Sequence, residues 1–137
     1  MKKLITAMFI FASCFTSKAF SDGHAIKMGI ILGFTGPIES LTPAMAASAE
    51  LAFKEASDSG KLLGGKSIMI ERADSTCVDS AAATTAAEGL VSNGVLAIMG
   101  ADCSGVTGAI ATNVAVPNGV AVSYTHLRAH ETNVDIV

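Results

Sequence analysis

The sequence predicts an α/β fold, a parallel sheet with flanking helices, and three observations support that prediction. Short apolar runs alternate along the chain with longer segments that are rich in alanine. Serine, threonine or aspartate stands where the longer segments begin, and glycine stands where they end, as expected for helix starts and stops. The resulting order β-α-β-α-β-α-β requires parallel strands joined by right-handed crossovers.

The first two strands and the first helix follow from local pattern. Residues 26–32 (IKMGIIL) are almost continuously apolar, which is typical of a parallel strand buried on both faces. Thr42 as N-cap and Pro43 at the first helical position predict a helix over 43–57. The second strand is predicted over 67–72 (SIMIER).

The remaining elements are predicted in the same way. They are a helix over 80–92 capped by Asp79, a strand over 95–99, a helix over 106–114 with Ser104 as its N-cap, and a strand that begins at 120–122.

The first 21 residues have the pattern of a secretory signal peptide. Lys2 and Lys3 precede an apolar run over 4–15, which is shorter than the roughly 20 residues that a membrane span needs. Small residues follow at candidate cleavage sites, so export is expected. The alternative is an N-terminal membrane anchor.

The end of the chain has a different composition. Residues 122–132 (VSYTHLRAHET) match one translated frame of a common transposon-based sequencing adapter, so 122–137 is predicted to be non-native. The alternative is a short basic helix in which His126 and His130 have the i, i+4 spacing of metal ligands.

Residues 22–121 then form one partial domain with a net charge of −5, from ten acidic and five basic residues. No basic patch is present, so nucleic acid is not an expected partner. This segment contains two cysteines, Cys77 and Cys103, and in an oxidising compartment an even pair favours one disulfide. A zinc site and a free catalytic thiol are the alternatives.

The loops that follow the strands of a parallel sheet share one edge, where such folds bind ligands. Here they are residues 33–37, 74–79 and 100–105. Ser104 and the following backbone N–H groups are placed to donate to an anion such as a carboxylate, although Ser104 could instead only cap its helix. If the second and third strands are neighbours, both cysteines lie at this edge.

Catalytic and cofactor motifs are weak. The loop GFTG lacks the GK[ST] ending of a phosphate loop, and no cofactor is expected. Cys103 on a strand-to-helix turn imitates a nucleophile elbow, but the flanking glycines and a histidine base are missing. Asp74 and Asp79 could suggest a metal, but Asp79 is better explained as a helix cap.

Three segments, IKMGIILGFTGPIES, ERADSTCVDSAAA and IMGADCSGVTGAIA followed by VPNGVAVS, resemble the N-terminal part of type I periplasmic solute-binding proteins. The most similar branch is the leucine/isoleucine/valine-binding group of ABC importers. The resemblance covers 26–122 and implies two α/β lobes that close around a ligand. Family members run to roughly three times this length, so the chain is expected to be a truncated part of lobe one.

The resemblance also implies site residues and partners. It implies a Cys77–Cys103 disulfide and a Ser104 that binds the ligand's α-carboxylate, while Leu41 stands where some relatives carry a covering aromatic residue. The ligand-binding set that it implies is Gly36, Pro37, Leu41, Asp102, Cys103, Ser104 and Gly105. A periplasmic amino acid, by default branched-chain, or a related small solute would be the ligand, and an inner-membrane permease the partner.

Two other functions remain as alternatives. One is an exported hydrolase or amidase with Cys103 as its nucleophile, and the other is a ligand-sensing module of the same fold.

Overall fold

A parallel four-stranded sheet organises the computed structural model, which describes residues 25–124. The predicted signal peptide and most of the adapter-like segment lie outside the described residues. In chain order the elements are β1 (Ile26–Leu32), α1 (Thr42–Asp58), a short 3-10 turn (Leu62–Gly64), β2 (Ile68–Asp74), α2 (Ser80–Ser92), β3 (Ala97–Met99), α3 (Ser104–Ile110), a π-helical continuation (Ala111–Ala115), a last helical turn (Val116–Asn118) and β4 (Ala121–Ser123).

The strand order is β2-β1-β3-β4, and all neighbouring strands are parallel. The predicted fold class is therefore confirmed. The assumption that the second and third strands are neighbours is wrong, because β1 lies between them. The chain turns from one side of β1 to the other after α2, so the carboxyl end of β1 is the switch point where open α/β sheets bind ligands.

β1 is buried on both faces, as its apolar run predicts. Ile31 packs in a core with α2 and α3, while Ile30 and Leu32 pack on the opposite face against α1. All three side chains are at most 1% exposed. The alternation follows from the two-residue period of a strand, and it places helices on both faces of β1.

Helix α2 matches its prediction at both ends. The Asp79 carboxylate accepts hydrogen bonds from the backbone N–H groups of Ala81 and Ala82, and Gly94 has a φ of +83° just after the helix. The helix start at residue 43 was one residue late, because Thr42 is already helical and Leu41 occupies the N-cap position.

Helix α3 begins at Ser104 rather than at 106, so Cys103 occupies the N-cap position and the prediction that Ser104 caps the helix is wrong. The helical segment also extends past 114. Pro117 has no N–H to donate to a carbonyl one turn earlier in the helix, and the residues just before it form a π-helical stretch.

β1 has the predicted bounds, whereas the bounds of the other strands differ from prediction by at most two residues. β2 extends to Asp74, and β3 begins only at Ala97. The predicted start of the non-native segment, residue 122, lies within β4. There Val122 packs against the core, and the Ser123 carbonyl accepts a hydrogen bond from the Gly100 N–H at 2.7 Å. Within residues 25–124, no helix combines the length and apolar character of a membrane span.

Two glycines give opposite predictions for alanine substitution. A Cβ at Gly100 would lie 1.9 Å from the Ile31 carbonyl oxygen at a φ of +120°, whereas a Cβ at Gly108 in α3 would meet nothing within 4 Å. We expect Gly100→Ala to destabilise the fold by about 3 kcal/mol or more and Gly108→Ala to stabilise it by about 0.5–1 kcal/mol. Urea unfolding measures both, and equal effects of the two substitutions would contradict this packing.

Candidate functional site

Three loops meet at the carboxyl edge of the sheet, and we call them together the loop edge: residues 33–41 after β1, 75–79 after β2 and 100–103 after β3. The buried polar side chains of the described residues lie in or directly beside it. They are Thr42, Ser75, Asp102 and Thr107. Buried polar groups are costly unless they are hydrogen-bonded, so their concentration here marks a built feature.

Asp102 is the only charged member of this set among the described residues, and it is 7% exposed. One carboxylate oxygen accepts from the Gly33 N–H at 2.8 Å, and the other accepts from the Ser75 hydroxyl at 3.3 Å. Both carboxylate oxygens therefore accept hydrogen bonds from other groups of the protein. The carboxylate, which the family resemblance placed in the ligand-binding set, here joins the three loops.

Thr42 extends the same network to α1. Its hydroxyl donates to the Gly33 carbonyl at 3.1 Å and to the Glu39 carbonyl at 3.3 Å, which explains why a predicted N-cap residue does not cap. Thr107 acts similarly in α3, where its hydroxyl donates to the Ala101 and Cys103 carbonyls. The polar groups at Gly33 are thus held from both α1 and Asp102.

The Cys77–Cys103 disulfide is the covalent tie of the loop edge. Its Cα atoms are 5.2 Å apart, and it joins the loops after β2 and β3 across the end of β1. Gly33 lies directly against it, because a Cβ at that position would be 3.2 Å from the Cys77 Cβ. A cysteine held in a disulfide has no thiolate to attack a substrate, so the alternative of a Cys103 nucleophile is not favoured.

The loop after β2 adopts unusual backbone angles. Thr76 and Cys77 have φ values of +55° and +69°, which are uncommon for residues with a Cβ and costly for a β-branched one. The loop after β1 packs against it so closely that a Cβ on Gly36 would lie 2.6 Å from the Thr76 carbonyl oxygen. Gly36, a predicted ligand residue, therefore has a packing role as well.

Asp74, at the end of β2, fixes the same two loops from the exposed side. It accepts from the Thr35 hydroxyl at 2.6 Å and from the Thr76 N–H at 2.8 Å. Burial raises the pKa of the Asp74 carboxyl, but these bonds, together with those from the Thr35 and Phe34 N–H groups, outweigh burial and hold the pKa below its ordinary value. The carboxylate is thus ionised and engaged. Within residues 25–124, no three His, Cys, Asp or Glu side chains cluster as a metal site would require.

The N-terminus of α3 has a different character, since its first two residues are exposed. Cys103 makes no side-chain cap, and the first intrahelical bond is donated by Thr107. Ser104 and Gly105 are exposed, and within the described residues the Ser104 hydroxyl makes no hydrogen bond. Helix N-termini carry partial positive charge, so this group of donors can accept an anion.

Exposed apolar side chains stand on the same edge. Leu41 is 61% exposed just before α1, and Val78 is 73% exposed just before α2. Pro37 is also exposed. The structure therefore places the predicted residues Pro37, Leu41, Ser104 and Gly105 on the solvent side of the loop edge and Asp102 beneath it.

Sequence reasoning missed the residues that support this edge. Thr42 was assigned to capping, and Ser75 and Thr107 were not singled out at all. The available signal was partial. Ser75 directly follows β2, whereas Thr42 and Thr107 lie in the first turns of their helices, where a polar residue is ordinarily interpreted as a cap.

The fold is an α/β lobe whose loops gather at the carboxyl edge of a parallel sheet. A family model described as periplasmic binding protein matches residues 25–134. The chain therefore belongs to the periplasmic binding protein family. This match continues beyond residue 122, and the prediction of a non-native segment from that position stays a prediction.

Solved structures agree with the family. The chain is 29% identical to the branched-chain amino acid transporter substrate-binding protein LivJ from Streptococcus pneumoniae, solved with isoleucine, with a TM-score of 0.65 over 74% of this chain and 30% of that one. It is 28% identical to a solute-binding protein from R. palustris solved with benzoate, with a TM-score of 0.60 over 73% and 27% of the two chains.

A third structure is the leucine-binding protein LivK from Thermotoga maritima, which is 25% identical, with a TM-score of 0.56 over 74% of this chain and 28% of that one. The chain thus spans less than a third of the length of these proteins. A comparison with curated protein sequences gives no significant match.

Removal of the disulfide should destabilise the chain. Cys77 and Cys103 are 26 residues apart, and the chain-entropy model gives about 3.5 kcal/mol for a loop of that size. We expect a Cys77→Ser, Cys103→Ser double variant to lose about that free energy of unfolding in urea. Reductant should lower the stability of the wild type but not of the variant, and an effect on both would point elsewhere.

Thr35→Val should produce a pH-dependent loss of stability. Because the folded-state pKa of Asp74 is lowered, its hydrogen bonds stabilise the fold fully above roughly pH 4, and this contribution disappears as the pH falls through the lowered value. The stability difference between wild type and Thr35→Val should therefore be largest near neutral pH and shrink in acid. Thr85→Val, at an exposed position of α2, is the control, and a pH-independent difference for Thr35→Val would refute the assignment.

Proposed function

We propose that this chain forms one wall of a periplasmic solute cleft and binds the carboxylate of an amino acid at the N-terminus of α3. The observation that carries the proposal is the uncapped, solvent-facing start of that helix, where the Ser104 hydroxyl and the Gly105 N–H are available. It lies at the carboxyl edge of the sheet beside the switch point.

The chemistry of this edge favours an amphipathic carboxylate. The α3 donors suit the anionic group, and the exposed Leu41 and Val78 side chains offer apolar surface on neighbouring loops. The nearby Asp102 and Asp74 carboxylates do not take up the α3 donors, because both already accept hydrogen bonds from other groups of the protein. Donors for a carboxylate beside exposed apolar side chains support an amino acid with an aliphatic side chain as the ligand.

The relatives support the same class. The S. pneumoniae protein is solved with isoleucine, and the T. maritima protein is a leucine-binding protein. We therefore place branched-chain amino acids first. In this proposal the whole protein captures its solute in the periplasm and delivers it to an ABC permease of the inner membrane, and it catalyses no reaction.

An aromatic acid is the second candidate. The R. palustris relative, at 28% identity, is solved with benzoate, which has a carboxylate but no ammonium group. Benzoate would use the same α3 donors, so a direct comparison with isoleucine separates the two.

An NMR titration of the 137-residue chain tests the proposal. L-Isoleucine, benzoate and 2-methylbutylamine, which is isoleucine without its carboxylate, are added separately while the Ser104, Gly105 and Val106 amides are followed. We expect isoleucine to shift these amides at millimolar concentration and the amine to leave them unchanged. Equal shifts with the amine, or none with either acid, would contradict carboxylate binding at this helix.

Ser104→Ala should weaken isoleucine binding roughly tenfold, because a hydrogen bond to a charged group contributes about 1.5 kcal/mol or more. Ser80→Ala is the matched control. Ser80 holds the same first helical position in α2, where the Asp79 carboxylate already accepts from the free N–H groups. An equal loss of affinity in both variants would show that Ser104 has no special contact.

A further inference from the structure

The loop after β1 and the start of α3 are joined by one hydrogen bond that the disulfide does not duplicate. The disulfide connects the loops after β2 and β3. The Gly33 N–H, in contrast, is held by the Asp102 carboxylate at 2.8 Å, and Asp102 lies two residues before the first residue of α3. The position of the loop after β1 relative to α3 therefore depends on this contact.

Burial and geometry show that Asp102 is not an ordinary loop aspartate. It is 7% exposed, and its second oxygen accepts from Ser75, which is fully buried. The Gly33 carbonyl is in turn held by the buried Thr42 hydroxyl at 3.1 Å. A chain of buried hydrogen bonds thus runs from α1 through Gly33 and Asp102 to the loop after β2.

We propose that Asp102 is a positioning residue, which sets the distance and orientation between residues 33–37 and the α3 N-terminus. It acts through Gly33 and through the backbone that leads to Ser104, without contacting the solute. This inference rests on the proposed function for its effect on binding, but its effect on geometry can be measured without any ligand.

A side chain at this position must form hydrogen bonds with both the Gly33 N–H and the Ser75 hydroxyl in a buried site. Asparagine retains an oxygen for the Gly33 N–H, and its NH₂ group can donate to the Ser75 hydroxyl, which then accepts. Alanine removes both acceptors and leaves the Gly33 N–H without a partner. Rescue by Asn and not by Ala is therefore the signature of positioning through hydrogen bonds.

The experiment compares wild type, Asp102→Asn and Asp102→Ala in the full 137-residue chain with the disulfide intact. Backbone residual dipolar couplings of residues 33–37 and of α3 report their relative orientation in the ligand-free protein. Isoleucine titrations then give the affinity at a temperature where every variant is folded. Glu88→Gly is the control, because it removes one exposed carboxylate and weakens α2 far from the loop edge.

We expect Asp102→Ala to change the couplings of 33–37 relative to α3 and to weaken isoleucine binding at least tenfold. Asp102→Asn should keep the couplings and bind within about threefold of wild type, and Glu88→Gly should lower the melting temperature without changing either readout. Wild-type couplings in Asp102→Ala overturn the proposal whatever its affinity.

Two outcomes need separate readings. If wild type does not bind isoleucine, the proposed function fails, and the couplings alone decide the role of Asp102. If Asp102→Ala does not fold, Ser75→Ala replaces it, since it removes only the 3.3 Å bond. It should then change the couplings of residues 33–37 relative to α3, because it removes one of the two bonds that fix the Asp102 carboxylate. Unchanged couplings of 33–37 count against the proposal.

Discussion

The hydrogen bond from the Gly33 N–H to the buried Asp102 carboxylate is the constraint on which the loop edge depends. Loops at the end of a sheet are ordinarily its most mobile part, because few apolar contacts hold them. Here a charged acceptor, a disulfide and three buried hydroxyl residues tie them to the sheet. Loss of one partner leaves a buried polar group without a hydrogen bond, and this costs free energy of folding. We therefore expect these hydrogen bonds to form and break together.

The loop edge combines buried groups that hydrogen-bond one another with exposed groups on its solvent side. The groups beneath the edge, Asp102, Ser75 and Thr42, use their hydrogen-bonding capacity on one another and on the backbone. The groups on its solvent side, Ser104 and Gly105, are left with free donors, and Leu41 and Val78 provide exposed apolar surface. A pre-formed set of donors costs little ordering on binding, which suits the proposed carboxylate site.

Local signals in the sequence predicted most of the fold. Continuous apolar character identified β1, and the Asp79 cap and Asn93-Gly94 stop identified α2 at both ends, because these effects act within one helical turn. The strand order was not predicted, since pairing of β1 between β2 and β3 depends on contacts distant in sequence. For the same reason Ser104 and Thr42 were taken for caps: their actual roles depend on Cys103 at the turn and on the Gly33 carbonyl, which no local pattern reports. The resemblance named the exposed candidates Pro37, Leu41, Ser104 and Gly105 and also the buried Asp102, whereas the supporting hydrogen bonds of Thr42, Ser75 and Thr107 emerged only from the structure.

Native-state hydrogen exchange of individual amides tests the central claim most directly. The Gly33 N–H bonds to Asp102, and the Ser75 N–H bonds to the Leu32 carbonyl at 2.8 Å. If the three loops are held as one unit with the sheet, both amides exchange as slowly as the amides of β1, because exchange then requires unfolding of the whole domain. Exchange of Gly33 and Ser75 as fast as that of the exposed connection over residues 60–66 would show that the loops open independently, and it would contradict the account.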